Sequence, residues 1–414
     1  PAPASLIDGG DYGPTPQLVA PQSSLVPTVR PAKAVGWLAG EMPLPASGLE
    51  INAFVSGLDH PRWLYVLPNS DVLVAESNAP ADSGLCSEMK NFAARVVLKY
   101  GGARTESADR ITLHRDNDGD GAADESHVFA DGLHSPFGMA LIGEDLYIAN
   151  ADAVLRFTYT PGLTSLTTAP EVIARLPSGK NHHWTKNILP GPDKRSLFVT
   201  VGSNSNVGEC GPEVEEGRAA IHRLDLETGQ LELFAHGLRN PVGMALETST
   251  GTLWTVVNER DELGSDLVPD YATSVREGDF FGWPYTYYGA HPQPKLDPRW
   301  PDDHPLARSP DYAVGSHTAS LDIEFSYDSA LPDKWRSGLF VSQHGSWNRQ
   351  PRSGYRVIYI PFTNGVPNGM PEEIVGGFLD AGGNARGRPA GLAIDSAGAL
   401  LIADDVGNVV WRVK

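Results

Sequence analysis

Gly237-Leu-Arg-Asn-Pro-Val-Gly-Met244, followed by Gly251-Thr-Leu-Trp-Thr-Val-Val-Asn258, reads as a polar loop, a short strand, a turn and a buried strand. The same order recurs along the chain. Gly57-Leu-Asp-His-Pro-Arg-Trp-Leu64 leads to Asp71-Val-Leu-Val-Ala-Glu-Ser77, and Gly132-Leu-His-Ser-Pro-Phe-Gly-Met139 leads to Asp145-Leu-Tyr-Ile-Ala-Asn150. His183-Trp-Thr-Lys-Asn-Ile188 leads to Ser196-Leu-Phe-Val-Thr-Val-Gly202, and His317-Thr-Ala-Ser-Leu321 leads to Ser337-Gly-Leu-Phe-Val-Ser-Gln343. Arg388-Pro-Ala-Gly-Leu-Ala393 leads to Gly398-Ala-Leu-Leu-Ile-Ala-Asp404. Each strand is β-branched or leucine-rich and bounded by Gly, Pro, Asn or Asp, and helical spacing is almost absent.

Repeats of four-stranded sheets, at roughly 40–50 residues each before insertions, are the signature of a propeller. The repeats therefore predict an all-β fold: a six-bladed β-propeller of four-stranded antiparallel blades over residues 47–414. The last strand, Val409-Val-Trp-Arg-Val413, is expected to pair with an early one and close the ring, since closure removes exposed edges. Residues 1–46, rich in Pro, Ala and Ser, read as an extended surface arm or a disordered lead-in. In such a ring the first loop of each copy faces a shared channel. His183, Arg239, Asn240, His317, Arg386 and Arg388 would then converge.

Bulk properties narrow the partners. The 414 residues carry a net charge of −19, which argues against nucleic acid and anionic membranes. No run of about 18 apolar residues occurs, so no membrane span is expected. Cys86 and Cys210 are the only cysteines, too few for a structural zinc site; as one disulfide they would suit an exported protein. The chain starts at Pro1, which fits a processed precursor or a trimmed chain, and the expected setting is periplasmic or secreted.

Two stretches exceed the repeat. Asp116-Asn-Asp-Gly-Asp-Gly-Ala-Ala-Asp124 has carboxylates at alternate positions and a glycine at the sharp turn, the pattern of a calcium loop using Asp116, Asp118, Asp120 and Asp124. His127 stands at the position usually held by glutamate, and a solvated acidic turn is the other reading. Tyr285–Pro310, rich in Pro, Tyr and His, reads as a long loop of the substrate-lid type.

Several chemistries are disfavoured. There is no Gly-x-Ser-x-Gly elbow, no His-Glu-x-x-His and no Gly-x-Gly-x-x-Gly in a βαβ unit. What remains is Arg, Asn and His on loops, with Arg386-Gly-Arg388 able to form a guanidinium fork for a planar carboxylate. Three arginines converging in an acidic protein point to a small polyanionic ligand.

These residues carry a resemblance. His183-Trp-Thr-Lys-Asn187, Pro190-Gly-Pro-Asp193, Gly237-Leu-Arg-Asn-Pro241, Gly278-Asp-Phe-Phe-Gly-Trp-Pro284 and Arg386-Gly-Arg388 resemble the soluble pyrroloquinoline-quinone (PQQ) sugar dehydrogenases. Gly202-Ser-Asn-Ser-Asn206, Asn258-Glu-Arg-Asp261, Asp266-Leu-Val-Pro-Asp-Tyr271 and Gly345-Ser-Trp-Asn-Arg349 resemble the sorbosone dehydrogenase-like branch. The resemblance spans about residues 50–414. It implies that Arg239, Asn240, Arg386 and Arg388 hold PQQ, with Lys186 as a further contact. Arg349 and His344 are candidates for the lysine expected near the quinone. A Ca²⁺ at Glu259, Arg260 and Asp261, partly through main-chain oxygens, would act as Lewis acid. His183 would take the hydroxyl proton of an aldose, sugar aldehyde or related polyol as hydride passes to the cofactor. Electrons would go to an external acceptor such as a quinone, a cytochrome or a dye.

The sequence also departs from the glucose dehydrogenases of that family. Ser203 stands where they carry an aspartate that orients the base, His182 replaces an acidic residue, and Val242 replaces a polar one. Two other readings compete. One is a lactonase-like metal hydrolase using Glu76, Asn240 and Asn258; the other is a non-catalytic binding propeller.

Overall fold

The structure, a computed structural model, describes residues 10–22, 28–81 and 106–414. Six antiparallel sheets stand around an axis, and each holds one four-stranded blade. Blade 1 comprises Pro61–Val66, Val72–Glu76, Arg110–Arg115 and Glu125–Ala130; blade 2 comprises Met139–Ile142, Asp145–Ala149, Ala153–Thr158 and Glu171–Arg175. Blade 3 runs through Ile188–Pro190, Ser196–Val201, Ala220–Asp225 and Leu231–His236. Blade 4 has Pro241–Glu247, Thr252–Val257, Pro269–Val275 and Tyr312–Ser316, and blade 5 has Ser320–Phe325, Gly338–Gln343, Arg356–Thr363 and Glu372–Gly376. Blade 6 is Pro389–Ile394, Leu400–Asp404, Val409–Val413 and, as its outer strand, Ile51–Ser56.

The expected closure is present: Val413 pairs with Ile51 and Val409 with Ser56, so both parts of the chain complete one sheet. The second strand of each blade is buried along its whole length in blades 1, 3, 5 and 6. Such strands read as near-continuous apolar runs because neighbouring blades cover both faces.

The first strands line the axis, and one repeated glycine sets their approach. A Cβ at Gly138 would lie 2.5 Å from the Ile188 amide of blade 3, and one at Gly243 would lie 2.6 Å from Asp322 Cα of blade 5. At Gly391 it would meet Arg62 and Trp63 of blade 1 at 2.9 Å. Even-numbered blades thus supply the glycine, and odd-numbered blades supply the bulk that fills its place.

The arm is less detached than the sequence suggests. Tyr12–Gly13 pairs with Val314 and Ala313 as a fifth strand on blade 4, and Leu44–Pro45 pairs with Gly376 and Val375 on blade 5. Cys210 is disulfide-bonded; Cys86, the other cysteine, lies outside the described residues. Among the described residues no helix is long and apolar enough to cross a membrane.

Candidate active site

In each antiparallel blade the entry to the first strand and the exit of the second lie at one end. His182, His183, Arg239, Asn240, His317, Arg386 and Arg388 are on entry loops; Ser203, Glu259–Asp261, His344 and Arg349 are on exit loops. All therefore share one face. The Asp116–Asp124 loop joins the third and fourth strands of blade 1 and lies on the opposite face.

The group that orients His183 is a backbone carbonyl. Nδ1 of His183 donates to Ser203 O at 2.7 Å, with the Ser203 hydroxyl at 3.1 Å. That fixes the tautomer and leaves the lone pair on Nε2. Gly202 makes the approach possible, because a Cβ there would collide with both His183 Cβ and the Asn240 amide. Burial, then the neighbouring His182 and Arg239, hold the His183 pKa well below its usual value. His182 packs against it at 4.4 Å between ring centroids and is itself depressed to about 4, mainly by burial. The imidazole of His183 is neutral at pH 7 and competent as a base.

Arg239 is saturated within the protein. It donates to Asn206 O and Oδ1 (both 3.0 Å), Asn258 O (3.2 Å) and Glu259 O (2.8 Å), and lies 3.8 Å from Asp261. Asp261 in turn accepts from Asn348 at 2.6 Å and faces His317 Nδ1 at 3.3 Å. Burial opposes ionisation of Asp261, but His317 and Arg239 prevail and hold its pKa at about 2. His317 has Gly264 O on its other nitrogen at 2.9 Å; against the pull of burial, the bond to Asp261 raises its pKa.

The arginines on blades 5 and 6 differ. Arg349, 5% exposed, donates through one terminal nitrogen to Asp266 (2.8 Å) and lies 3.4 Å from Asp11. Its Nε and other terminal nitrogen are buried without a partner among the described residues. Arg388 is equally buried, lies over the Tyr355 ring at 5.0 Å and has an unpartnered Nε. Beside it His344 Nε2 meets Asp405 at 2.7 Å, and Asp405 also holds Arg62 and His60. Although burial opposes it, contact with His344, His60 and Arg62 keeps the Asp405 pKa well below the usual carboxylate range.

Several expected site residues stand elsewhere. Arg386 forms no fork with Arg388: it pairs with Glu41 of the arm at 3.0 Å, because the chain turns around Asp404, which accepts from the Arg388 amide at 2.8 Å. Lys186 is fully enclosed, and its ammonium donates to Asn181 (3.0 Å) and the Trp184 carbonyl (3.1 Å). A group with no exposed surface cannot touch a ligand in the mouth, so Lys186 is a packing residue.

The expected calcium set at Glu259, Arg260 and Asp261 does not fit the ion as arranged. The Glu259 carbonyl accepts from Arg239 and the Asp261 carbonyl from Arg260 at 2.8 Å. Burial lifts the Glu259 carboxyl to about 7. A dication requires several free oxygens, and here two guanidinium groups stand against them. The far-face loop does gather ligands: Asp116, Asp118 and Asp120 offer oxygens within 4.8 Å of one another, while Asp124 accepts from the Asn117 amide. The lactonase set is not assembled, since Glu76 is bound by Arg110 and Asn258 donates to the Ser320 carbonyl.

The Tyr285–Pro310 stretch climbs from the far end of blade 4 and buttresses the rim. Trp283, just ahead of it, and Trp300 donate to the Asn206 and Gly208 carbonyls at 3.1 and 2.8 Å, and Gln293 accepts from Arg260. Sequence reasoning also missed Asp405, Asn206 and Glu215. Asn204 and Ser205 both donate to Glu215, whose pKa burial lifts to about 7. Asp405 directly follows a repeat strand, at the register of His344, and that position was the available signal.

Comparison with known proteins bears on the family and the fold. A family model described as TrAA12-like matches residues 104–279 and 286–414. An uncharacterised protein of Borreliella burgdorferi is 26% identical over 298 residues, covering 69% of this chain and 77% of that protein. A PQQ-dependent pyranose dehydrogenase of Coprinopsis cinerea is 24% identical over 265 residues, covering 53% of this chain and only 35% of the dehydrogenase. The solved holo PQQ domain of pyranose dehydrogenase from Coprinopsis cinerea superposes with a TM-score of 0.69 at 19% identity, covering 92% of this chain and 98% of the domain. The chain belongs to the TrAA12-like family, and it spans about a third of the length of the curated pyranose dehydrogenase it matches.

Proposed function

We propose that this chain oxidises an aldose, sugar aldehyde or related polyol with PQQ as cofactor and passes the electrons to an external acceptor. The observation that carries the reading is the pair Arg349 and Arg388: buried cations with unpartnered N–H groups, on the same rim as a neutral, oriented histidine. Buried donors without partners are costly unless a ligand completes them. PQQ is a planar tricarboxylate and suits them. Arg349 and Arg388 would bind its carboxylates, with His344 and Asn240 alongside; Asn240 Oδ1 is also unpartnered among the described residues. Bound there, PQQ supplies the two-electron acceptor that amino acids lack.

The chain's own part is proton handling and placement. Ser203 O holds Nδ1–H, so His183 Nε2 receives the substrate hydroxyl proton. A base depressed below neutrality is ready at pH 7 without first losing a proton. Arg239 acts from within the protein, fixing the Asn206 and Asn258–Asp261 loops. The sorbosone-type motifs favour a sugar aldehyde or aldose as substrate. A periplasmic or secreted setting fits a disulfide-bonded Cys210. The far-face aspartates would hold a structural Ca²⁺.

Absorbance titration of the protein with PQQ, followed by a panel of sugars and an artificial dye, tests the reading. Saturable uptake and sugar-dependent dye reduction are expected. Absence of both across the panel would end it.

A further inference from the structure

The described parts of the N-terminal arm run along the loops of the site face. Gln22 donates to Leu263 O, Arg30 to Trp347 O and Val35 to Ala385 O, at 2.9, 2.6 and 2.8 Å. These acceptors belong to loops of blades 4, 5 and 6 in turn. Each of the three blade 5 and 6 arginines expected at the cofactor also meets the arm, directly or through one residue. Asp11 faces Arg349, Glu41 pairs with Arg386, and Trp37 donates at 2.7 Å to Asp404, the carboxylate that fixes the Arg388 amide.

Asp11 is the best placed of these. It is 6% exposed, accepts from the Ser316 amide at 2.7 Å, and its own carbonyl accepts from Gly315 at 3.1 Å. Tyr12 anchors it, because the Tyr12 ring fills the space that a side chain at Gly315 would need. Arg349's other acidic partner, Asp266, has a side chain that is 56% exposed and so is screened by solvent. The buried Asp11 carboxylate, 3.4 Å from the same terminal nitrogen, is the less screened of the two partners. The opposite edge, Nε and a terminal nitrogen, stays unpartnered among the described residues.

We propose that the arm is a working part of the cofactor site, with Asp11 a positioning residue that holds Arg349 ready for a carboxylate of the cofactor. This rests on the reading that Arg349 binds PQQ. The arm is a third source of site residues, beside the entry and exit loops of the blades.

A double-mutant cycle on the full chain tests it, using PQQ affinity from absorbance titration and thermal midpoints for Asp11→Asn, Arg349→Gln and the double variant. Asp11→Asn keeps the shape and an acceptor for Ser316. It should raise the PQQ Kd on the order of tenfold, and it should change nothing further once Arg349 is Gln. Asp11→Glu, which keeps the charge, should recover most of the affinity and serves if the Asn variant does not fold. A lowered midpoint with unchanged Kd, or an Asp11→Asn penalty that persists without Arg349, would overturn the inference alone. No PQQ uptake by the unaltered chain would overturn the proposed function and this inference together.

Discussion

The two sides of the channel mouth use the same residue types in opposite ways. On blades 3 and 4, Arg239 gives its donors to three carbonyls and an amide, and His183 is fixed by a fourth carbonyl. On blades 5 and 6, Arg349 and Arg388 keep buried N–H groups without partners among the described residues. Apart from Asn240 Oδ1, the first side is self-sufficient and therefore rigid; the second is incomplete and therefore receptive. Position in a repeat says which residues reach the mouth. Hydrogen-bond accounting says which of them are available to a ligand.

The sharpest way to break this contrast is His183→Gln. Loss of the base should cut kcat by about 10²–10⁴-fold while PQQ affinity, measured by titration, stays unchanged. An equal loss in Kd would make His183 a cofactor ligand instead. Exchanging the arginines comes next. Arg349→Gln or Arg388→Gln should weaken PQQ by about 1.5–3 kcal/mol each, the worth of a charged hydrogen bond. Arg239→Gln should instead lower stability in denaturant melts, by about 1–3 kcal/mol for each buried acceptor left bare. If Arg239→Gln lost affinity alone, the self-sufficient side would be misassigned.

A smaller effect concerns pH. Because the His183 pKa is lowered, kcat/KM should hold from pH 8 down through 6.5 and fall only in acid, as Nε2 is protonated. Stability has a separate signature in Asp261 and His317. The lowered Asp261 pKa adds stability that is present above its unfolded value near 3.9 and lost as pH falls toward about 2. The raised His317 pKa adds stability that is present below about 6.5 and lost as pH rises through its folded value. Both are in force between about pH 4 and 6.5, and His317→Gln should remove the alkaline decline in thermal midpoint.

The smallest effect separates the two faces. Chelation should leave the PQQ Kd unchanged and lower the melting temperature by a few degrees through the Asp116–Asp124 loop, with Ca²⁺ restoring it. Asp118→Asn should abolish that response. A chelator-sensitive Kd would restore a cation to the cofactor side.

The propeller was legible because its signal is redundant: six loops, each tied to a buried strand by Gly and Pro. The arm was not, since Tyr12–Gly13 and Leu44–Pro45 are two-residue strands with no period to read. His183 could be found, but its partner could not, because a backbone carbonyl has no letter of its own. Arg386 and Arg388, two positions apart, could be seen as a fork only until Asp404 was known to turn the chain between them. Asp405 was hidden by abundance, as one acid among 51 Asp and Glu residues.

The pairing of Ile51–Ser56 with Val409–Val413 has a consequence for biosynthesis. During translation the outer strand of blade 6 leaves the ribosome before blades 1 to 5, yet its partner follows all of them. Blades 1 to 3 can assemble as they appear, whereas the early strand waits with an unpaired edge. The arm waits too, for blades 4, 5 and 6. The sixth blade is thus complete only once Val409–Val413 has been made, and any ligand that needs the whole ring is loaded after that strand rather than alongside the earlier blades.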